Sequence, residues 1–251
     1  MKLERNRILV PSLPKHCSVK VIGLGGVGSI VARYGACFLS SLEKDCTLTL
    51  IDGDTFEPKN SSRMLFTEYG NKAAVVLSEL RPPMKHGKLA MTTREEYVKR
   101  SNIKHLIQEK DIVLLCVDNH ATRRLVDRHC QKLRNVCLIS GGNDGIGEDS
   151  TGRTRRGTYG NAQIYVRRRG KDVTAAISAY HPEIKHPKDK LPTDVSCTAL
   201  LVSTPQILFS NLAVASAMLN TLMLYLSDAT HYGELSFDIA DGLMRPTVGV
   251  L

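Results

Sequence analysis

Gly23-Leu24-Gly25-Gly26-Val27-Gly28-Ser29 is the stretch that decides the fold of this chain. It follows an apolar run at 18–23 that predicts a buried strand, and it opens a segment at 26–40 with the pattern of a helix. A glycine-rich turn between a strand and a helix lets backbone N–H groups approach a nucleotide, and the positive end of the helix then points at the ligand. Taken alone the glycine pattern is a weak signal, but it makes Gly23, Gly25, Gly26 and Gly28 candidate nucleotide-binding residues.

A second phrase, Ile51-Asp52-Gly53-Asp54-Thr55-Phe56-Glu57-Pro58-Lys59-Asn60-Ser61-Ser62-Arg63, follows a predicted strand at 47–52. Asp52 lies 24 residues after Gly28, about the separation between the glycine turn and the ribose-binding acid of a dinucleotide fold. One interpretation is therefore an NAD-dependent oxidoreductase. That enzyme would need a substrate domain with its own acid–base pair, which we cannot identify in the sequence, and it leaves Asn60, Arg63 and Lys72 without a role.

Strands and helices alternate through the first 140 residues. Further helices are predicted at 72–80, 94–110 and 119–133, and further strands at 89–92, 111–117 and 136–140, the last ended by Gly141-Gly142. This alternation predicts an α/β, Rossmann-like fold, in which a mainly parallel nucleotide-binding sheet carries helices on both faces.

The pattern changes after residue 144. The sequence predicts a mobile loop at 145–157, antiparallel strands at 162–168 and 173–180, and a second loop at 180–192. An uncharged helix at 204–226 and a last strand at 234–239 follow. We expect a single domain over 1–251, with an N-terminal arm at 1–17, a loop, antiparallel and crossover region at 145–195, and a small antiparallel C-terminal extension.

Composition narrows the function classes. The chain has 251 residues, of which 42% are hydrophobic and 24% charged, as in ordinary globular proteins. Its net charge of +9 predicts a basic surface or an acidic protein partner rather than a nucleic-acid partner, because no nucleic-acid-binding module is visible.

The cysteines and the apolar runs of the sequence indicate the cellular compartment in which the protein is expected. The seven cysteines include no Cys-x-x-Cys pair, which predicts buried free thiols in a reducing, cytoplasmic environment. The apolar patch at 8–10 is too short for a signal peptide. The run at 197–227 has no charged residue, but polar residues such as Asn211 and Asn220 within it favour a buried core or interface helix over a membrane span.

Five patches together resemble the ThiF/MoeB family, the ubiquitin-activating-enzyme-like adenylating proteins, from about residue 18 to about residue 220. They are the glycine turn, Asp52-Gly53-Asp54, Asn60-Ser61-Ser62-Arg63, Lys72 after Tyr69-Gly70-Asn71, and Cys116-Val117-Asp118-Asn119 with Arg123 behind it. Each patch is modest, and their order and spacing carry the resemblance.

The resemblance implies adenylation, in which a carboxylate is joined to the α-phosphate of ATP and pyrophosphate is expelled. Asp52 would accept hydrogen bonds from the ribose hydroxyls, Arg63 and Lys72 would neutralise the phosphates, Asp118 would hold Mg²⁺ and Asn60 would orient the triphosphate. Taken one at a time, each of these residues has a structural alternative, such as a helix cap, a surface ion pair or a solvated face.

Other implied features are less direct. Asp54 and Asn119 are further candidates for contact with ATP, and Arg5 or Arg7 for reaching the site of a partner subunit. The chain lacks the paired Cys-x-x-Cys motifs of many members, so no structural zinc is expected.

Cys197 decides how the reaction would end. It lies just before the long uncharged helix, where the compact activating enzymes of this family carry the nucleophile that forms a thioester. A helix-entry cysteine that only packs is an equal alternative. Cys116, inside a strand, is a poor nucleophile candidate.

The function expected from the resemblance is activation of the C-terminal glycine of a ubiquitin-like or sulfur-carrier protein, with possible transfer to a conjugating enzyme. The long helix would contribute to a homodimer interface. Two alternatives stay open: a tRNA threonylcarbamoyl-adenosine dehydratase, whose RNA would bind the arginines at 150–170, and a non-catalytic adaptor that binds a ubiquitin-like protein. His181 and His186 are expected in a loop over the active site.

Overall fold

The computed structural model describes residues 8–61, 64–81, 88–148, 152, 154–194 and 206–248. Arg5, Arg7, Arg63 and Cys197 lie outside the described residues. Within them, a mixed nine-stranded sheet carries helices on both faces, which confirms the α/β, Rossmann-like fold predicted from the sequence.

The N-terminal strands form the parallel half of the sheet. They are β1 (Cys17–Ile22), β2 (Cys46–Ile51), β3 (Leu89–Arg94), β4 (Ile112–Leu115) and β5 (Val136–Asn143), in the spatial order β3-β2-β1-β4-β5. All four residues of β4 are buried, as expected for a parallel strand covered by helices on both faces. The strand order reverses between β1 and β4, so their carboxyl ends open a crevice of the kind in which open α/β sheets bind ligands.

The remaining strands are antiparallel, and all except β6 and β7 extend the sheet beyond β5. They are β6 (Ile146–Glu148), β7 (Thr154–Arg156), β8 (Tyr159–Arg168), β9 (Lys171–Asp172), β10 (Glu234–Asp238) and β11 (Leu243–Thr247). β8 pairs with β5, β10 pairs with β8, and β11 pairs with β10, all antiparallel, while β6 and β7 form a separate two-stranded ribbon. The small antiparallel C-terminal extension predicted from the sequence is confirmed.

Helices cover both faces of the sheet. They are α1 (Gly26–Ser41), α2 (Lys72–Leu80), α3 (Ile103–Leu106), α4 (His120–Cys130), α5 (Ile177–Tyr180), α6 (Pro182–Lys185) and α7 (Leu208–Leu226). Helices α1, α2 and α7 share one apolar core with the sheet, and α3 to α6 share the other.

The uncharged helix α7 is long and apolar enough to cross a membrane by length and composition alone. It packs on β5, β8 and α1, and Val214, Met218 and Leu222 are completely buried there. Burial of this face against the sheet explains why the face carries no charge, and it agrees with the buried core or interface helix expected from the sequence.

The helix predicted at 94–110 is wrong, because only Ile103–Leu106 is helical. The side chain of Asn102 accepts a hydrogen bond from the Lys99 N–H at 2.8 Å and donates to the Tyr97 carbonyl at 2.8 Å. These local bonds compete with helical ones and hold the segment before α3 in turns.

The predicted end of β5 at Gly141-Gly142 is also wrong. Both glycines continue the ladder with β8, opposite Ala162 and Asn161. An added Cβ would lie 2.3 Å from the Met218 sulfur at Gly141 and 2.5 Å from the Arg123 guanidinium at Gly142. These glycines therefore admit α7 and a buried arginine rather than ending the strand.

Two further segments differ from their predictions. The segment at 145–157, predicted as a mobile loop, contains the β6–β7 ribbon, in which Ile146 pairs with Arg156. The segment at 173–180 is not a strand: Thr174 exchanges side-chain hydrogen bonds with the backbone of β8, and the chain then turns into α5. β11 was not predicted, since all its residues are exposed and give no apolar alternation.

The glycine turn fits closely between β1, β4 and α1. Gly23 has φ = +84° and packs on Val117, which an added Cβ would approach to 3.0 Å. A Cβ on Gly28 would lie 1.7 Å from the carbonyl oxygen of Gly23, a backbone atom that cannot move aside. Gly25 has no heavy atom within 4 Å of its Cβ position, so close packing requires glycine at 28 but not at 25.

We expect Gly28→Ala to lower the free energy of unfolding by at least about 2 kcal/mol, because the new methyl group must push α1 away from β1. Gly25→Ala is the matched control and should change it by no more than about 0.5 kcal/mol. Urea unfolding followed by circular dichroism measures both variants. Equal stabilities for the two would contradict the close approach at Gly28.

Candidate functional site

A cavity of about 480 Å³ opens at the carboxyl ends of β1, β2, β4 and β5. It is lined by most of the site residues predicted from the sequence: Gly23, Gly25, Gly26, Asp52, Asp54, Lys72, Asp118 and Asn119. Residues separated by up to 96 positions in the sequence therefore meet at one edge of the sheet.

The first turn of α1 faces this cavity without a side-chain cap. Its N-cap residue is Gly25, which offers no side chain to the N–H groups of the first turn. Gly25 and Gly26 line the cavity, and space is open around Gly25. The uncapped N–H groups and the positive end of the helix together suit an anion. Gly28 lies behind them and is a packing residue in this structure.

Asp52 is held rigidly at the end of β2. One carboxylate oxygen accepts a hydrogen bond from the N–H of Leu24 in the glycine turn, and the other accepts from the N–H of Asp54 at 2.8 Å. Burial raises the pKa of Asp52 above its usual range, while the nearby Lys72 and these N–H donors oppose the rise. Asp52 therefore ties the glycine turn to the second strand and keeps its carboxylate at the cavity wall.

Lys72 enters the cavity from the first residue of α2. Its ammonium lies 3.0 Å from the carboxylate of Asp54, which also accepts a hydrogen bond from the Tyr97 hydroxyl. Asn71 caps the helix, its side-chain oxygen accepting from the N–H groups of Ala73 at 2.8 Å and Ala74 at 3.3 Å. This cap fixes where Lys72 begins the helix and so places its buried side chain.

Asp118 and Asn119 follow β4 at the opposite side of the crevice. Asp118 is exposed at the cavity wall. Asn119 caps α4, its side-chain oxygen accepting from the Thr122 N–H at 2.8 Å. The first two N–H groups of α4, those of His120 and Ala121, donate to the carboxylate of Asp189 at 2.7 and 2.8 Å. This helix end is therefore occupied by protein groups, unlike that of α1.

Arg123 is buried in the wall of the cavity. Its guanidinium donates to the Ser140 hydroxyl and to the carbonyls of Val117 and Gly141, each at 2.7 Å. It therefore joins the segment after β4 to β5 and is not part of a surface ion pair. Burial raises the pKa of the neighbouring Cys116 to about 12, which disfavours its thiolate.

Of the remaining predicted site residues, the structure describes Asn60, which stands apart from the cavity. Asn60 is buried, does not line the cavity, and accepts a hydrogen bond from the Glu57 N–H at 2.8 Å across a short 3₁₀ turn. Arg63, Cys197, Arg5 and Arg7 lie outside the described residues, so their assignments stay predictions. Among the described ranges, no group of three or more His, Cys, Asp or Glu residues is placed to hold a metal ion.

A histidine fastens the crossover segment at 177–194 over the cavity. Nε2 of His181 lies 2.6 Å from Glu234 on β10, and Nδ1 lies 2.7 Å from Glu183. Burial lowers the pKa of His181, but the hydrogen bonds and charges of these two carboxylates outweigh that effect, so that its pKa is raised above the usual range. His181 lines the cavity as predicted, whereas the exposed His186 does not.

Three of the five arginines that the structure describes within 150–170 are paired with acids. Arg156 contacts Asp238 and Asp241 at 3.2 Å. Arg167 also pairs with Asp172, and Arg168 pairs with Asp228. Arg155 instead lines the cavity. These pairs reduce the charge that this region offers to a polyanion.

The structure adds residues that the sequence analysis did not find. Tyr97, Asp189, Glu183, Asn161 and Gln163 line the cavity. Asn71, a residue type that often caps helices, stands just before Lys72 and indicates in the sequence where α2 begins. Tyr97 was assigned to a helix that does not form, and neither Asp189 nor Glu234 has a local pattern that predicts its distant partner.

We expect the hydrogen bonds of His181 to stabilise the fold in a pH-dependent way. Because its folded-state pKa is raised above the ordinary value of 6.5, the stabilisation is fully present below that pH and is lost as the pH rises through the folded-state pKa. The free energy of unfolding of the wild type, minus that of His181→Gln, should therefore be largest below pH 6.5 and fall as the pH rises above that value. Urea titrations on both sides of that pH measure the difference.

The matched control is His186→Gln. Its side chain is exposed and has no hydrogen bond to a described residue, so this variant should follow the wild type at every pH. A His181 difference that is constant or grows with pH would contradict the charged-histidine clamp.

A model of the ThiF family matches residues 14–241 of the chain. The adenylyltransferase and sulfurtransferase MOCS3 of Drosophila virilis is 33% identical over 135 residues, which cover 51% of this chain and 27% of that protein. The ubiquitin-like modifier-activating enzyme 5 of Arabidopsis thaliana is 30% identical over 145 residues, covering 51% of this chain and 32% of that protein. The matches thus span about a third or less of these curated relatives.

Solved structures share the fold. E. coli MccB, crystallised with ATP, superposes with a TM-score of 0.66 at 16% identity over 94% of this chain and 65% of that chain. The structure of PaaA gives a TM-score of 0.64 at 16% identity over the same shares of the two chains. The match of the family model over most of the chain, on a fold these structures share, confirms the resemblance seen in the sequence: the chain belongs to the ThiF family.

Proposed function

We propose that this protein uses ATP to adenylate the C-terminal glycine of a ubiquitin-like or sulfur-carrier protein. The observation that carries the proposal is the meeting of an uncapped helix N-terminus, a fixed carboxylate, a buried lysine and an exposed carboxylate in one cavity. The names of the two curated relatives, an adenylyltransferase and a modifier-activating enzyme, and the crystallisation of MccB with ATP support the same activity.

ATP would lie across the crevice between β2 and β4. The ribose hydroxyls would donate to Asp52, whose carboxylate is already fixed by two backbone N–H groups. The phosphates would lie at the first turn of α1, with Lys72 on one side. Lys72 would exchange its contact with Asp54 for the phosphates, which carry more charge. Arg63 would add a second cation there.

The reaction needs positioning and charge stabilisation more than covalent work by the protein. A carboxylate oxygen of the terminal glycine would attack the α-phosphorus, and the bond from that phosphorus to the bridging oxygen of pyrophosphate would break. The products are an acyl-adenylate and pyrophosphate, and no proton is transferred in this step. Lys72 and the N–H groups of α1 would stabilise the negative charge that builds on the phosphate oxygens.

The carboxylates of the cavity wall fit a Mg²⁺ ion. Mg²⁺ in nucleotide sites is bound by one or two carboxylates together with phosphates and water. Asp118 supplies an exposed carboxylate at the cavity wall, while Asp52 and Asp54 in the same wall are already engaged with N–H groups and Lys72. When bound, the ion would neutralise phosphate charge beside Asp118.

Cys197 would take the second step. Its thiolate would attack the carbonyl carbon of the acyl-adenylate and expel AMP, leaving a thioester that a conjugating enzyme accepts. A homodimer would bring Arg5 or Arg7 toward the partner's site. The exposed apolar residues at the start of α7, among them Phe209 with 68% of its surface exposed, support a protein contact there.

The alternatives are less well supported. The tRNA dehydratase requires the arginines of 150–170 to bind RNA, but Arg156, Arg167 and Arg168 already contact carboxylates. The adaptor interpretation gives no reason to keep Lys72 buried at the cavity wall. The NAD interpretation leaves the same lysine unexplained.

We expect ATP–pyrophosphate exchange in the presence of the cognate carrier protein, and a loss of at least about 100-fold in Asp118→Asn, because the substitution removes the carboxylate proposed to hold Mg²⁺. Asp45→Asn is the matched control: it removes an exposed carboxylate outside the cavity and should keep full activity. Normal exchange in Asp118→Asn, or no exchange by the wild type, would reject the proposed role.

We expect Cys197→Ser to retain ATP–pyrophosphate exchange and to lose the thioester, because the two steps use different atoms. After incubation with ATP and the carrier, a band that disappears on adding a thiol reductant should be seen on a non-reducing gel for the wild type and be missing for Cys197→Ser. Cys37→Ser, which changes an exposed free cysteine, should keep the band. A reductant-sensitive band in Cys197→Ser would assign the thioester to another residue.

A further inference from the structure

A second cavity, of about 360 Å³, lies on the outer side of α4. Its apolar lining comes from Ala121 and Leu125 on α4 and from Leu191 on the crossover segment. Four cationic side chains surround this lining: Arg100, Arg124, Arg128 and Lys190. We call this feature the basic cavity. None of these four side chains lines the cavity that holds Lys72 and Asp118.

The four cations are not neutralised by the described part of the chain. None of them forms an ion pair or donates a side-chain hydrogen bond to a described residue. Arg124 and Arg128 lie one helical turn apart, so they present adjacent guanidinium groups on one face of α4. The Nε atom of Arg124 is shielded from water and has no hydrogen-bond partner among the described residues. Because a buried donor without an acceptor costs free energy, a rearrangement of this side chain that gives Nε an acceptor would be favourable.

The acids in the wall do not serve as that acceptor. Both oxygens of Asp189 accept hydrogen bonds from the N–H groups of His120 and Ala121. Asp194, the other acid of the wall, is exposed and forms no ion pair with a described cation. The basic cavity therefore keeps a net positive rim around an apolar floor.

We propose that the basic cavity docks an acidic segment of a protein partner, in which carboxylates flank an apolar side chain. Guanidinium groups pair with carboxylates through two parallel hydrogen bonds, and the floor of Ala121, Leu125 and Leu191 takes the apolar side chain. The apolar floor and the two wall aspartates disfavour a nucleic-acid backbone, which offers phosphates in a continuous line and repels acids. The cavity reaches Asp194, which lies three positions before Cys197 in the sequence.

The test uses the full chain and a short fluorescein-labelled peptide in which glutamates flank a leucine, followed by fluorescence anisotropy at low ionic strength. We expect binding by the wild type, and at least a 10-fold weaker affinity in Arg124→Gln/Arg128→Gln. The control Lys44→Gln/Lys88→Gln removes the same charge from exposed positions outside both cavities and should bind like the wild type. A peptide with glutamines in place of the glutamates should not bind.

A second variant, Arg100→Gln/Lys190→Gln, changes only exposed residues of the rim and should also weaken binding, which keeps the test valid if the first variant folds poorly. Equal affinity for the wild type and both rim variants would overturn the proposal, as would no binding of the peptide by the wild type. Binding of oligouridylate, but not of the peptide, that depends on the same arginines would replace it with a nucleic-acid site. Adenylation is not assumed in any of these outcomes.

Discussion

The close backbone contact between Gly28 and the carbonyl of Gly23 is the constraint on which the site depends. A side chain at position 28 would meet that oxygen at 1.7 Å, so α1 can begin directly over the end of β1 only because both residues are glycine. This approach puts the uncapped first turn of the helix at the point where the strand order reverses. Asp52 then holds the glycine turn by accepting a hydrogen bond from the N–H of Leu24. One packing contact thus fixes the uncapped helix end at the cavity and the carboxylate beside it.

The rest of the cavity is closed by the crossover segment, which two polar contacts fasten to the fold. His181 joins it to β10 through Glu234, and Asp189 joins it to the N-terminus of α4. Both contacts use buried or half-buried charges, which are stable only when fully paired. Beyond the second contact the chain leads to the segment that carries Cys197. Asp189 also distinguishes the N-termini of α1 and α4: the end of α4 is occupied by this carboxylate, whereas the end of α1 has no side-chain cap.

The sequence predicted the parts of this structure that have local signals. Strand periodicity and glycine spacing located β1, β2, β4 and α1, and α2 was predicted with its observed limits because Lys72 and Leu80 bracket a clear helical pattern. The errors occurred where distant partners decide the local structure. Gly141 and Gly142 resemble a strand end but accommodate Met218 and Arg123, and the side chain of Asn102 replaces a predicted helix with turns. Asn60, predicted beside the triphosphate, instead caps its own turn.

The proposed function requires that the cavity between β2 and β4 binds ATP with Lys72 at the phosphates. Calorimetric titration of ATP–Mg²⁺ into the wild type and Lys72→Gln, with NADH as a competing ligand, measures this binding. We expect one site per chain, no effect of NADH, and at least about 10-fold weaker binding in the variant, since a cation is lost beside the phosphates. Equal affinity in the two proteins, or heat with NADH and none with ATP, would contradict this requirement.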